Sequence, residues 1–130
     1  MTLAATLAIA ATTASAQVGL RAAVPFSFEV NGHYVGPAGN YEVNRSGDVW
    51  IFTNEDTLNK SLAQATARME SKPTDGAQMV FSCRASNCTL RSIQTGGGGI
   101  GGYWAPPRLS KSDAAELARL VIVPVTPSAE

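Results

Sequence analysis

Val24-Pro25-Phe26-Ser27-Phe28-Glu29-Val30, with Pro37-Ala38-Gly39-Asn40-Tyr41-Glu42-Val43 after it, decides the fold. In the first stretch Val24, Phe26, Phe28 and Val30 fall on one side of an extended chain, and Pro25, Ser27 and Glu29 on the other. Period-two alternation with β-branched and aromatic residues on one face is the pattern of a half-buried strand. Pro25 has no N–H to give to a ladder, so the strand is expected at a sheet edge or paired only beyond the proline. Asn31-Gly32 and Gly36-Pro37 break the chain. Pro37-Ala38-Gly39 is expected to turn, with Gly39 at positive φ. Tyr41 and Val43 then resume the alternation, which makes strand, turn, strand.

Working outward, Arg45-Ser46-Gly47-Asp48 reads as a tight turn between strands. Asp48-Val49-Trp50-Ile51-Phe52-Thr53 is apolar on both faces, as in a central strand covered on both sides. Asn54-Glu55-Asp56 ends it. Over residues 58–70, Leu62, Ala65 and Met69 fall at helical spacing, while Ala63, Ala65, Ala67 and Met69 alternate as a strand would. The place of this segment between strand-like stretches favours strand. Ser71-Lys72-Pro73-Thr74-Asp75-Gly76 is a loop.

Met79, Phe81 and Cys83 form the inward face of the next strand, and Cys88, Leu90 and Ser92 continue on its return. The linker Arg84-Ala85-Ser86-Asn87 can set Cys83 opposite Cys88, which favours a disulfide in an oxidising compartment. The closed loop is short, so the stabilisation expected is modest. The spacing is not C-x-x-C and no second Cys or His group completes a metal shell, so a redox pair is the lesser reading and no metal is expected.

Thr95-Gly96-Gly97-Gly98-Gly99-Ile100-Gly101-Gly102 lacks the following helix and lysine of a phosphate-binding loop and runs into Tyr103-Trp104-Ala105-Pro106-Pro107. It is expected to be a flexible loop between strands. Ser110 is expected to open a short helix, capped with Asp113 and with Ser112 as the rival cap, showing Leu117 and Leu120 on a narrow apolar face. Val121-Ile122-Val123 reads as a closing strand stopped by Pro124 and Pro127.

Residues 1–16 carry no charge and end in Ala14-Ser15-Ala16 before Gln17, the small-x-small pattern of a cleaved signal peptide. The apolar run is too short to span a bilayer. The missing Lys or Arg near Met1 points to a start upstream or to an atypical signal. The expected organisation is a leader at 1–16, one β domain at 17–124 and a tail at 125–130. Ten basic and ten acidic residues give a formal net charge of zero. No basic stripe supports nucleic-acid binding, and no charge block or polybasic patch marks a tail or a membrane surface. A charged content of 15% with abundant small residues suits a turn-rich all-β protein better than a helical bundle. The expected fold is a small antiparallel barrel or two-layer sandwich of about seven strands with one short C-terminal helix.

The VPFxFxV…PAGxYxV arrangement resembles a family of small secreted bacterial proteins with no established activity. In that family a later LVF-type strand and a polar LPKSxxExELA-like segment follow. Here Met79-Val80-Phe81 and the segment from Arg108 to Ala118 stand in matching order, so the resemblance covers most of the chain beyond the leader. Three features depart from it. Gly36 precedes the proline where an apolar residue is usual, Ser82 to Cys88 replaces an aromatic, basic hairpin, and the glycine tract is extra. The resemblance implies an exported all-β protein and carries no chemistry.

His33, the one histidine, lies in a polar turn and has no evident partner. No G-x-S-x-G elbow occurs, and carboxylates such as Glu55 with Asp56, or Glu29 with Glu42, read as solvent-facing charge rather than a glycosidase pair. With nucleophile, base and oxyanion donors unassigned, the expectation is that the chain is not an enzyme and uses no cofactor. Trp50, Tyr103 and Trp104 are the candidate binding residues, either as an exposed stacking platform or, the preferred reading, as rings packed over the core. The expected function is a periplasmic or extracellular non-catalytic module, structural or partner-binding, whose partner is an envelope protein or polysaccharide. The alternatives are a small secreted hydrolase or a carbohydrate-binding module. A hydrolase should bring at least two of His33, the carboxylates and Ser/Thr side chains together in a concave site; a module should present a flat sheet, an aromatic patch or an unprotected edge.

Overall fold

The structure, a computed structural model, describes residues 19–70, 76–85, 87–96, 99–105 and 118–127. These form eleven strands and no helix. They are β1 (Gly19–Val24), β2 (Phe28–Val30), β3 (His33–Gly36), β4 (Gly39–Ser46), β5 (Val49–Asn54), β6 (Lys60–Gln64), β7 (Ala67–Glu70), β8 (Gln78–Arg84), β9 (Asn87–Gln94), β10 (Ile100–Tyr103) and β11 (Arg119–Pro127). The all-β expectation holds, with eleven strands in place of about seven, because the stretches 24–30 and 58–70 are each divided in two and two segments read as turn or loop, His33–Gly36 and Ile100–Tyr103, pair as β3 and β10. The leader expected at 1–16 and the helix expected from Ser110 lie outside the described residues, but Leu120, assigned to that helix, stands in β11.

The ladders run β11-β1-β4-β5-β6 on one side and β11-β8-β9-β10-β7 on the other. β6 and β7 follow one another through Ala65-Thr66, where the Ala65 N–H donates back to Asp48 O (2.9 Å) and the Thr66 N–H forward to Tyr103 O (2.8 Å). β11 serves both sides as well: it pairs β8 from Arg119 to Pro124 and β1 from Val125 to Pro127. Strands that switch sheets make corners, and these two bring the sheet nearly full circle into a barrel. Pro124 therefore does not stop the strand; it stands where the ladder passes from β8 to β1. Of the tail expected at 125–130, Val125 and Thr126 stand instead in β11, paired with Ala22 and Arg21, and residues 128–130 lie outside the described residues.

The organising stretch makes a third crossing. β1 and β4 pair antiparallel from Gly19↔Asn44 to Val24↔Gly39, so the two sequence motifs do meet. But Val24 to Val30 is not one strand. Pro25-Phe26-Ser27 interrupts it, and β2 leaves β1's sheet to lie parallel to β9 at Glu29↔Thr89. The lost N–H of Pro25 falls at the interruption, and Phe26 packs edge-on against Phe81 (ring centroids 4.9 Å apart). β2 folds back into β3 through Asn31-Gly32, both at positive φ (53° and 82°) as a two-residue hairpin turn requires. This hairpin covers the part of the β9 edge that β10, paired only at Ser92 and Ile93, does not reach.

Alternate residues of β1, β4, β5 and β8 fill the interior with Leu20, Val24, Tyr41, Val43, Trp50, Phe52, Met79 and Phe81. Phe28 stands at its centre, edge-on to both Tyr41 and Phe81 at 5.2 Å. In β5 only Trp50, Phe52 and Asn54 are fully buried, so that strand is covered on one face and half-covered on the other. The turn at Gly47-Asp48 forms as expected, with Gly47 at φ 65°. Gly39 is not at positive φ; it already belongs to β4. The glycine that matters is Gly36, where a Cβ would run into the Tyr41 hydroxyl. That hydroxyl donates to Pro37 O at 2.6 Å and accepts from Asn54. Burial raises the Tyr41 phenol above its usual range, and the Asn54 bond partly offsets the shift.

Candidate functional site

Trp50 (1% exposed) and Trp104 (0%) are enclosed, 6.2 Å apart and edge-on, beneath β10. The glycine tract explains how. Ile100–Tyr103 is a strand rather than a flexible loop, pairing β7 on one edge and β9 on the other. A Cβ on Gly102 would come within 2.6 Å of Trp50 Nε1, and one on Gly101 would enter the Ile93 carbonyl. Glycine lets the backbone lie directly on the indole. Tyr103 is half-buried, and its hydroxyl accepts from Arg91 Nη2 at 3.2 Å. Arg91 is the extra residue where the β8–β9 register shifts between Val80 and Phe81. Its Nε donates to Trp104 O (3.3 Å) and its guanidinium lies 5.7 Å from the Tyr103 ring centre. These three aromatics therefore make no exposed platform: two are core, and the third braces a bulge. The Trp104 indole N–H has no acceptor among the described residues.

Cys83 and Cys88 are joined as a disulfide, directly opposite one another across the β8–β9 hairpin with Cα atoms 4.0 Å apart. Ladder pairing extends to Arg84↔Asn87, so the turn is tighter than the expected linker, with Ala85 at φ 50°. His33 opens β3 and is exposed. Glu29 and Glu42 stand on different strands, β2 and β4. Glu55 pairs with Arg21 at 3.2 Å. Among the described residues no group of three or more His, Cys, Asp or Glu side chains is placed to hold a metal, and no helix is long and apolar enough to cross a membrane.

Two surface recesses are lined by described residues. One, of about 400 Å³, lies on the outer face of β1, β4 and β11, lined by Arg21, Ala22, Ala23, Asn40, Glu55, Pro124 and Thr126, and its two charges are spent on each other. The other, of about 240 Å³, lies where the β2–β3 hairpin meets β9. Ser27, Phe28, Glu29, Tyr34, Asn87 and Cys88 line it. Glu29 and Tyr34 are register partners, so both side chains leave the hairpin on one face. Thr89 Oγ1 donates to Glu29 Oε2 at 3.2 Å and holds that carboxylate in place. Tyr34 is 67% exposed. Ser27 and Glu29 meet in this concavity, which is the condition set for a hydrolase; among the described residues that line it there is neither His33 nor the second carboxylate that a glycosidase pair would add. Tyr34 carried no warning in the sequence: it sits in a four-residue strand too short to show alternation.

Compared with known proteins, the chain matches no family model, no curated protein and no solved structure.

Proposed function

We propose that this chain is a non-catalytic module of the cell envelope or extracellular space, structural or partner-binding. The observation that carries the reading is a disulfide-tied β-barrel whose interior is filled by its own side chains. Disulfides persist in oxidising compartments, and the small-x-small run at Ala14-Ser15-Ala16 fits export to one. A filled interior leaves recognition to the outer surface and the sheet edges. The resemblance to small secreted bacterial proteins points the same way. Crosslinking in intact producing cells, followed by mass spectrometry of what the tagged protein captures and of its own N-terminus, tests the proposal. A leader-cleaved, oxidised protein joined to a reproducible envelope partner is the expected result. A reduced cytoplasmic protein with an intact N-terminus would overturn it. A carbohydrate-binding role is the second reading, favoured by the recess under Tyr34.

A further inference from the structure

We infer that the recess between the β2–β3 hairpin and β9 binds a single ring of a neutral sugar, with Tyr34 as the stacking surface; this rests on the module reading and names its ligand class. An aromatic ring 67% exposed on a short rim strand contributes little to the core. It is held on the same face as Glu29 by the strand register. Around it stand a carboxylate, a hydroxyl and a carboxamide, from Glu29, Ser27 and Asn87.

The chemistry of this set narrows the ligand by elimination. An anion would meet the Glu29 carboxylate, and among the described residues no Lys or Arg lines the recess to offset it. A divalent cation prefers several oxygen ligands with more than one carboxylate, whereas this recess offers one, already engaged by Thr89. A purely apolar ligand would strand the polar groups at the mouth unpaired. A neutral polyol satisfies all of them: its hydroxyls give to Glu29 and exchange bonds with Ser27 and Asn87, while the apolar C–H face of its ring lies on Tyr34. A volume of about 240 Å³ suits one sugar ring rather than a drug-sized molecule. A ligand of that size on an open surface should bind with a Kd on the order of millimolar.

The experiment is amide-resolved NMR titration of the disulfide-bonded protein with glucose, galactose and N-acetylglucosamine, then with their β-linked disaccharides. Inorganic phosphate, calcium and a neutral tripeptide serve as separate probes. Saturable shifts at Glu29, Tyr34 and Asn87 with at least one sugar are expected. Tyr34→Ala should weaken that binding by about tenfold or more, while Tyr34→Phe, which keeps the ring, should stay within about threefold. Glu29→Gln should weaken it several-fold. Well-dispersed spectra of the variants show that the fold is intact. Shifts confined to phosphate, calcium or peptide, or no saturable shift with any sugar, would overturn the inference while leaving the export test untouched. Hydrolysis of a disaccharide would overturn the non-catalytic reading of the same site.

Discussion

Tyr41 and Tyr34 stand on neighbouring segments of one motif and are used in opposite ways. Tyr41 is 1% exposed, its ring packed on Phe28 and its hydroxyl both donating and accepting. Gly36 gives up its side chain to make room for it. Tyr34 keeps two thirds of its surface in water, and its partner across the hairpin is a carboxylate. The same contrast separates the wall of the barrel from the β2–β3 hairpin on its rim. In the wall every large ring is tied down on several sides. On the rim Phe28 and Val30 anchor inward, while Glu29 and Tyr34 face out around a recess. A ring that the fold does not need is a ring left for something else.

The comparison can be tested variant by variant. Phe28→Ala removes the centre of the aromatic cluster and should cost about 3–5 kcal/mol in urea denaturation; a loss below about 1 kcal/mol would mean that the hairpin is not anchored through this ring. Replacing Cys83 and Cys88 together by Ala should cost about 2 kcal/mol, since the closed loop is short, and the oxidised wild type should lose a similar amount on adding reductant.

Tyr41→Phe should cost about 1–2 kcal/mol by leaving Pro37 O and the Asn54 amide without their partner. It also carries a pH signature. Burial raises the Tyr41 phenol, so the native state keeps its proton at pH values where the unfolded chain, titrating near about 10, has lost it. This contribution is present in full below about pH 10 and declines as the pH rises toward the higher native value. Unfolding free energy measured across that window should fall in the wild type and fall less steeply in Tyr41→Phe. The smallest effect is the sharpest contrast: Tyr34→Ala should change stability by no more than about 0.5 kcal/mol. A loss as large as that of Tyr41→Phe would make Tyr34 a structural ring and remove its availability for a ligand.

The inward faces were readable because burial follows side-chain alternation, which is local. Val24, Phe28 and Val30 are buried as the alternation required, as are Met79, Phe81 and Cys83. The cysteine pair was readable because a hairpin sets its flanking residues opposite one another. The segment at 58–70 proved extended but divided: its residues favour helix by propensity, and pairing with β5 on one sheet and β10 on the other overrides that preference. Arg91 gave no sign of its bulge; no glycine or proline marks it.

What the sequence determined by itself is the all-β class, the apolar face of each main strand, the turn at Gly47 and the chance for Cys83 to meet Cys88. Those depend on pleat, turn chemistry and short-range spacing. Pro25 marked a weak point in its strand, but tertiary structure alone decided that the chain changes sheets there, and again at Ala65-Thr66 and Pro124-Val125. Tertiary structure also turned the end of the glycine tract, Ile100-Gly101-Gly102, into β10 and enclosed Trp50 and Trp104 while leaving Tyr34 outside. The reason is that a residue's neighbours along the chain set which way it points, but only the partner strand across the barrel sets whether that direction is covered. Gly102 shows this plainly: as a sequence position it reads as loop, it is strand because it pairs with Arg68 and Ile93 on its two edges, and it is glycine because an indole lies where a side chain would be.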